Sequence, residues 1–171
     1  SWNGAILQSL SHGFMTALFF ALIGMIYGRT HTRDITKLGG LLKVMPFISV
    51  IYVIAGMASL GLPGFSGFVA EMNIFVGAFQ HEGMFYRVAT IISVSAIVVT
   101  AVYILRVLGI MLMGEVKNEE FLDLPKATWF EITGILLLLI PMLGMGVAPL
   151  WLSDMTMESL EPFIQGVLNH L

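Results

Sequence analysis

No charged residue occurs between positions 44 and 70, and the apolar character of that stretch continues to 79. Built as one straight helix, residues 44–79 would run about 54 Å, well beyond a bilayer core of roughly 30 Å. Two features interrupt it: Gly-Leu-Pro-Gly at 61–64, and a carboxylate, Glu71. Lipid offers no partner for free backbone groups, so a break is tolerated there only against protein or beside a water-filled space. Pro63 removes a donor, while Gly61 and Gly64 permit the bend. Composition agrees with a membrane setting, since 57% of residues are hydrophobic and 11% charged, where soluble domains carry roughly 25% charge.

Three further stretches, two uncharged and one with a single charge, are long enough to span. Residues 3–27 give about 37 Å of helix, residues 88–113 are interrupted only by Arg106, and residues 132–152 contain Pro141 and Pro149. Between the first two stretches, Thr32 or Asp34 is placed to cap a short surface helix within 29–43 that Gly39-Gly40 would end. In the tail, Leu160, Phe163, Ile164, Val167, Leu168 and Leu171 recur at helical spacing, which predicts an interfacial helix over 161–171. The expected fold is all-α and integral to the membrane: one bundle over 1–171 with four transmembrane helices, the second broken at 61–64, and a short C-terminal interfacial helix.

Lysine and arginine counts bear on whether 44–79 crosses once or turns back as a hairpin. With one crossing, segments 29–43 and 114–128 share a side and hold six basic residues, against Arg87 opposite; with two crossings the split is five against two. The single crossing is favoured, with both basic segments cytoplasmic and the amino end and tail outside.

Glu71 is the leading candidate for chemistry. An acidic group near the bilayer centre costs about 2.5–3.5 kcal/mol on insertion scales. Such a carboxyl, balanced between loss of water and any neighbouring cation, exchanges its proton when that cation moves. The plainer reading is a protonated Glu making one helix–helix hydrogen bond. His12 is the second candidate, a neutral relay or a donor of one interhelical hydrogen bond. Gln8 and Thr16, at i−4 and i+4, share its helix face. Arg106 cannot hand on a proton; it serves as a snorkelling anchor or as a fixed charge. Glu131 and Arg87 sit at span edges and read as solvated, and His31, His81 and His170 as surface groups.

Several classes are excluded. The absence of cysteine removes disulfides, haem thioethers and thiolate metal sites. The four histidines are scattered without ligand spacing, so no metal is expected. A net charge of −3 without a basic tail gives nucleic acid no footing. The chain reads as a fragment or an internal piece of a larger membrane protein.

"SHGFMTALFFALIGMIYGRTHTRDITKLGGL" (11–41), "MASLGLPGFSGFVAEMNIFVGAF" (57–79) and "YILRVLGIMLMGE" (103–115) together resemble the antiporter-like membrane subunits of respiratory complex I, the NADH:quinone oxidoreductase. Related subunits occur in multisubunit cation/proton antiporters and membrane-bound hydrogenases. The resemblance covers essentially the whole chain as the closing four spans of a longer array. It implies that His12, in Ser-His-Gly, is a relay residue, that 44–79 is the family's broken helix, and that Glu71 is its key ionisable position. Sister subunits usually carry lysine there, so glutamate indicates the M-type branch. Ala70 departs mildly from the usual glycine.

The resemblance also implies proton translocation without redox chemistry in this chain and without cofactors of its own. NADH, FMN, iron–sulfur clusters and quinone would belong to partner subunits. The implied partners are the remaining N-terminal part of the same subunit, with its central lysines and first glutamate, the other membrane-arm subunits, and lipid. The implied location is a bacterial inner membrane rather than the mitochondrial one. The alternatives are a subunit of a cation/proton antiporter or membrane-bound hydrogenase, and a non-conducting structural bundle.

Overall fold

A computed structural model describes residues 2–152, 154–156, 158, 162 and 166. Among the described residues the regular elements are helices, with no strand, in the order α1 (Trp2–Thr30), α2 (Leu41–Val44), α3 (Pro46–Ser59), α4 (Ser66–Phe79), α5 (Met84–Leu112) and α6 (Trp129–Val147), plus a 3₁₀ turn at Glu119–Asp123. By length and composition, α1, α5 and α6 can each cross a membrane; α3 and α4 are shorter apolar helices. The expected interfacial helix over 161–171 lies outside the described residues, apart from Pro162 and Gly166.

Start and stop signals explain most boundaries. Pro46 opens α3, where a missing N–H costs nothing. Thr128 and Glu131 form a capping box at the head of α6. Pro141 stays within α6, whereas the helix ends at Val147, ahead of Pro149.

The segment between α1 and α3 departs from expectation. No helix forms at 31–40, and Gly40, foreseen as a stop, is instead the residue before α2. The Asp34 carboxylate accepts from the Thr36 amide at 2.9 Å and hydroxyl at 2.7 Å, closing a turn in place of a helix. The Thr36 hydroxyl and amide hold the Asp34 carboxyl below its ordinary range. Gly40 has φ +66 and backs onto Glu115 and Val116, where a Cβ would come within 2.7 Å of their backbone. Only glycine suits both constraints.

Contacts along α1 run in one direction. Tyr52 of α3 meets Phe19 edge-on at 5.4 Å, Ser66 of α4 meets Ser11 at 2.6 Å, and Gly4 lies against Asn73 and Ile74. Positions on α1 fall as those on α3 and α4 rise. Both therefore run antiparallel to α1, α3 beside its second half and α4 beside its first. Leu18, Leu22, Leu41, Leu112, Ile135 and Met142 fill the core between these helices.

Segments 29–43 and 114–128 meet at one end of the bundle. The Gly40 amide donates to the Met113 carbonyl at 3.1 Å, and the Lys117 ammonium to the Thr36 carbonyl at 2.8 Å. Much of α5, including Ile92, Val98, Val99 and Val102, leaves its apolar side chains exposed. For a chain surrounded by hydrocarbon or other spans, that surface carries no aqueous penalty.

Candidate functional site

Residues 60–65 separate α3 from α4 and create the site. Gly61 has φ +63 and Gly64 φ +98. The first is a left-handed conformation costing other residues roughly 1–2 kcal/mol. Phe65 precedes α4 without a side-chain cap, leaving the first-turn amides of α4 without an intrahelical acceptor, whereas the last turn of α3 is closed by the Leu60 amide on the Gly56 and Met57 carbonyls and the Gly61 amide on that of Ala58. The partial positive end of α4 and the partial negative end of α3 also meet there.

Glu71 reaches back to this break. Helical side chains tilt toward the N-terminus, and a Glu71 carboxylate oxygen occupies the place where a Cβ on Gly61 would be. The Glu71 backbone stands on the second turn of α4, but its carboxyl lies at the interruption. Gly67 brings α4 against α3, its absent Cβ 3.2 Å from the Ala58 carbonyl oxygen. On the far side, Gly146 of α6 packs directly on the Gly64 carbonyl and the Phe65 backbone. That support was not foreseen, since a glycine in an apolar run carries no pairing signal.

The other candidates distribute unevenly. Ser11, not singled out in the sequence, meets Ser66 of α4. His12 follows it about 100° round the helix and is exposed. Glu71 is partly buried, so neither ionisable candidate is enclosed within this chain, and the contacts of the described residues do not bring the two together. Gln8 is partly buried, and its side-chain carbonyl oxygen is shut from solvent without a partner. Thr16 is partly buried, while Pro63, Gly64 and Arg106 are exposed. His31 and His81 are exposed, and His170 lies outside the described residues.

Glu131 is not the solvated edge residue expected. It pairs with Arg29 at 2.7 Å, the two side chains 29% and 7% exposed. Arg29 further donates to the carbonyls of Pro125 at 2.8 Å, Met25 at 3.1 Å and Lys126 at 3.1 Å, and to the second Glu131 oxygen at 3.0 Å. These contacts use every N–H of a guanidinium. The pair spans 102 positions of sequence, beyond any local pattern.

Among the described residues no cluster of His, Asp and Glu is arranged to hold a metal. The apolar helices and a carboxyl drawn into a helix interruption define an integral membrane protein that keeps an ionisable group between its helices. The chain belongs to the NADH:quinone oxidoreductase/Mrp antiporter transmembrane family, whose model matches residues 1–100. It is 38% identical over 152 residues to NAD(P)H-quinone oxidoreductase chain 4 3 of Trichormus variabilis, covering 86% of this chain and 28% of that protein. It is 34% identical over 147 residues to NADH-quinone oxidoreductase subunit M of Rickettsia felis, covering 86% of this chain and 29% of that protein. It also resembles a chain in the structure of respiratory complex I from Thermus thermophilus with bound NADH. There the TM-score is 0.63 and identity 24%, over 86% of this chain and 32% of that one. The chain thus spans less than a third of the length of these relatives.

Proposed function

We propose that this chain is the C-terminal part of a proton-translocating membrane-arm subunit of an NADH:quinone oxidoreductase, and that Glu71 is the group that takes and releases the proton. One observation carries the reading: the Glu71 carboxylate is drawn back onto Gly61, at the interruption between α3 and α4. A carboxyl there lies at the uncapped start of α4, and an interrupted helix is the one part of an apolar bundle where water and a changing charge are tolerated. Movement of a cation in neighbouring spans changes its proton affinity, each pKa unit corresponding to about 1.36 kcal/mol of coupling. His12, exposed on α1, relays from the face that the rest of the subunit would cover. Gln8 and Thr16 flank it, Pro63, Gly61 and Gly64 hold the break open, and Arg106 anchors α5.

In the proposed topology α3 and α4 form one broken crossing, giving four spans with 29–43 and 114–128 on the cytoplasmic side. Supporting this are the one-way register of α3 and α4 on α1 and the contacts joining the two basic segments. Bacterial relatives support a cell-membrane location. The redox cofactors would sit in partner subunits. The family description also covers Mrp antiporters, which keeps a cation/proton antiporter subunit as the second reading; co-purifying flavin separates the two.

Glu71→Gln, in the assembled enzyme reconstituted in vesicles, keeps shape and hydrogen bonding but cannot titrate. Proton translocation per NADH oxidised should fall by about tenfold or more with assembly intact. Unchanged translocation would overturn the reading and leave Glu71 a structural contact.

A further inference from the structure

The break holds a second polar group besides Glu71. Ser11 of α1 and Ser66 of α4 are 3% and 4% exposed, and their hydroxyl oxygens lie 2.6 Å apart, either able to donate. Other hydroxyls bond back into their own helices: Ser9 to the Ala5 carbonyl at 3.0 Å, Ser59 to that of Gly56 at 2.7 Å, Thr90 to that of Tyr86 at 2.7 Å. Ser11 and Ser66 face each other instead. Two hydroxyls bring two hydrogens and one contact uses one of them, so the bond can point either way.

The pair is linked to the carboxyl through Gly67 and Gly61. The Cβ that Gly67 lacks would be 3.9 Å from the Ser11 Oγ and 3.9 Å from the Gly61 Cα, and Gly61 is the residue against which the Glu71 carboxylate rests. The hydroxyl pair and the Gly61–Glu71 contact therefore flank the same glycine, Gly67, whose missing Cβ lets α4 close on the Ala58 carbonyl between them. Gln8, three residues before Ser11 and so on the same side of α1, ends in a buried carbonyl oxygen without a partner.

We infer that the Ser11–Ser66 hydroxyl pair is a hand-off station that positions the proton exchanged by Glu71. A proton arriving at one oxygen releases the hydrogen shared with the other, which gives up its own. Two neutral serines remain, with the bond between them reversed; no charge is stored and no bond beyond O–H changes. The inference rests on the reading of Glu71 given above.

The test compares Ser11→Ala, Ser66→Ala and the double variant with Glu71→Gln in the assembled enzyme, in H₂O and D₂O. Each alanine should lower proton translocation roughly three- to tenfold and change its solvent isotope ratio. The double should lose no more than the single variants, because either removes the whole station. Full translocation in the double variant, with Glu71→Gln still impaired, overturns the hydroxyl station and leaves the Glu71 reading standing; full translocation in Glu71→Gln overturns that reading itself. If the alanines disturb assembly, Ser66→Thr and Ser66→Val share a shape and differ in the hydroxyl. Faster translocation in the threonine variant is expected, and equal rates would contradict the proposal.

Discussion

The two polar centres of this bundle are built in opposite ways. At the end where 29–43 meets 114–128, Arg29 has every donor matched by the Glu131 carboxylate or by the carbonyls of Met25, Pro125 and Lys126. At the helix break α4 begins without a side-chain cap and the Ser11 and Ser66 hydroxyls bond to each other, while Gln8, three residues before Ser11 on α1, ends in an unpartnered oxygen. A saturated network has one arrangement and holds structure; a half-satisfied one has several and can change state. The first centre fastens helices, and the second is where the proposed function places the moving proton.

Arg29→Ala should break that contrast most visibly. It removes the cation from the Glu131 carboxylate, which keeps only its Thr128 partners, and frees backbone carbonyls, at a cost of about 3 kcal/mol. This would be read as a lower thermal midpoint of the assembled enzyme, with proton yield per surviving complex unchanged. A lost proton yield at unchanged stability would make the clamp part of the transport path and erase the distinction. Gly61→Ala is the smaller perturbation, about 1–2 kcal/mol for the left-handed backbone. Its new Cβ would occupy the place of the Glu71 carboxylate, so translocation should fall by more than stability explains. In a Glu71→Gln background the same substitution should cost no further translocation, and additive losses would separate Gly61 from the carboxyl.

Spans α1, α5 and α6 were legible because charge is absent from long stretches, a signal that needs no knowledge of partners. The interruption was legible at Gly-Leu-Pro-Gly because those residues act on their own backbone. Pairings were not. Arg29 with Glu131, Ser11 with Ser66, and Gly146 against Phe65 each join distant positions through packing that no periodicity encodes. Gly40 misled for a related reason: its left-handed backbone and close approach to Glu115 are demands of tertiary contact, and the local pattern assigned it to a helix end. The sequence located Glu71 in the second half-helix, whereas the direction of its side chain, back onto Gly61, required coordinates.

Infrared difference spectroscopy of the assembled enzyme, with glutamate labelled by ¹³C and compared between resting and turning-over states, tests proton exchange at Glu71 most directly. A protonated-carboxyl band that appears or disappears on turnover, shifts with the label, and is absent in Glu71→Gln is the expected result. A difference spectrum identical in the parent and in Glu71→Gln would show that this carboxyl keeps one protonation state throughout, contradicting the account.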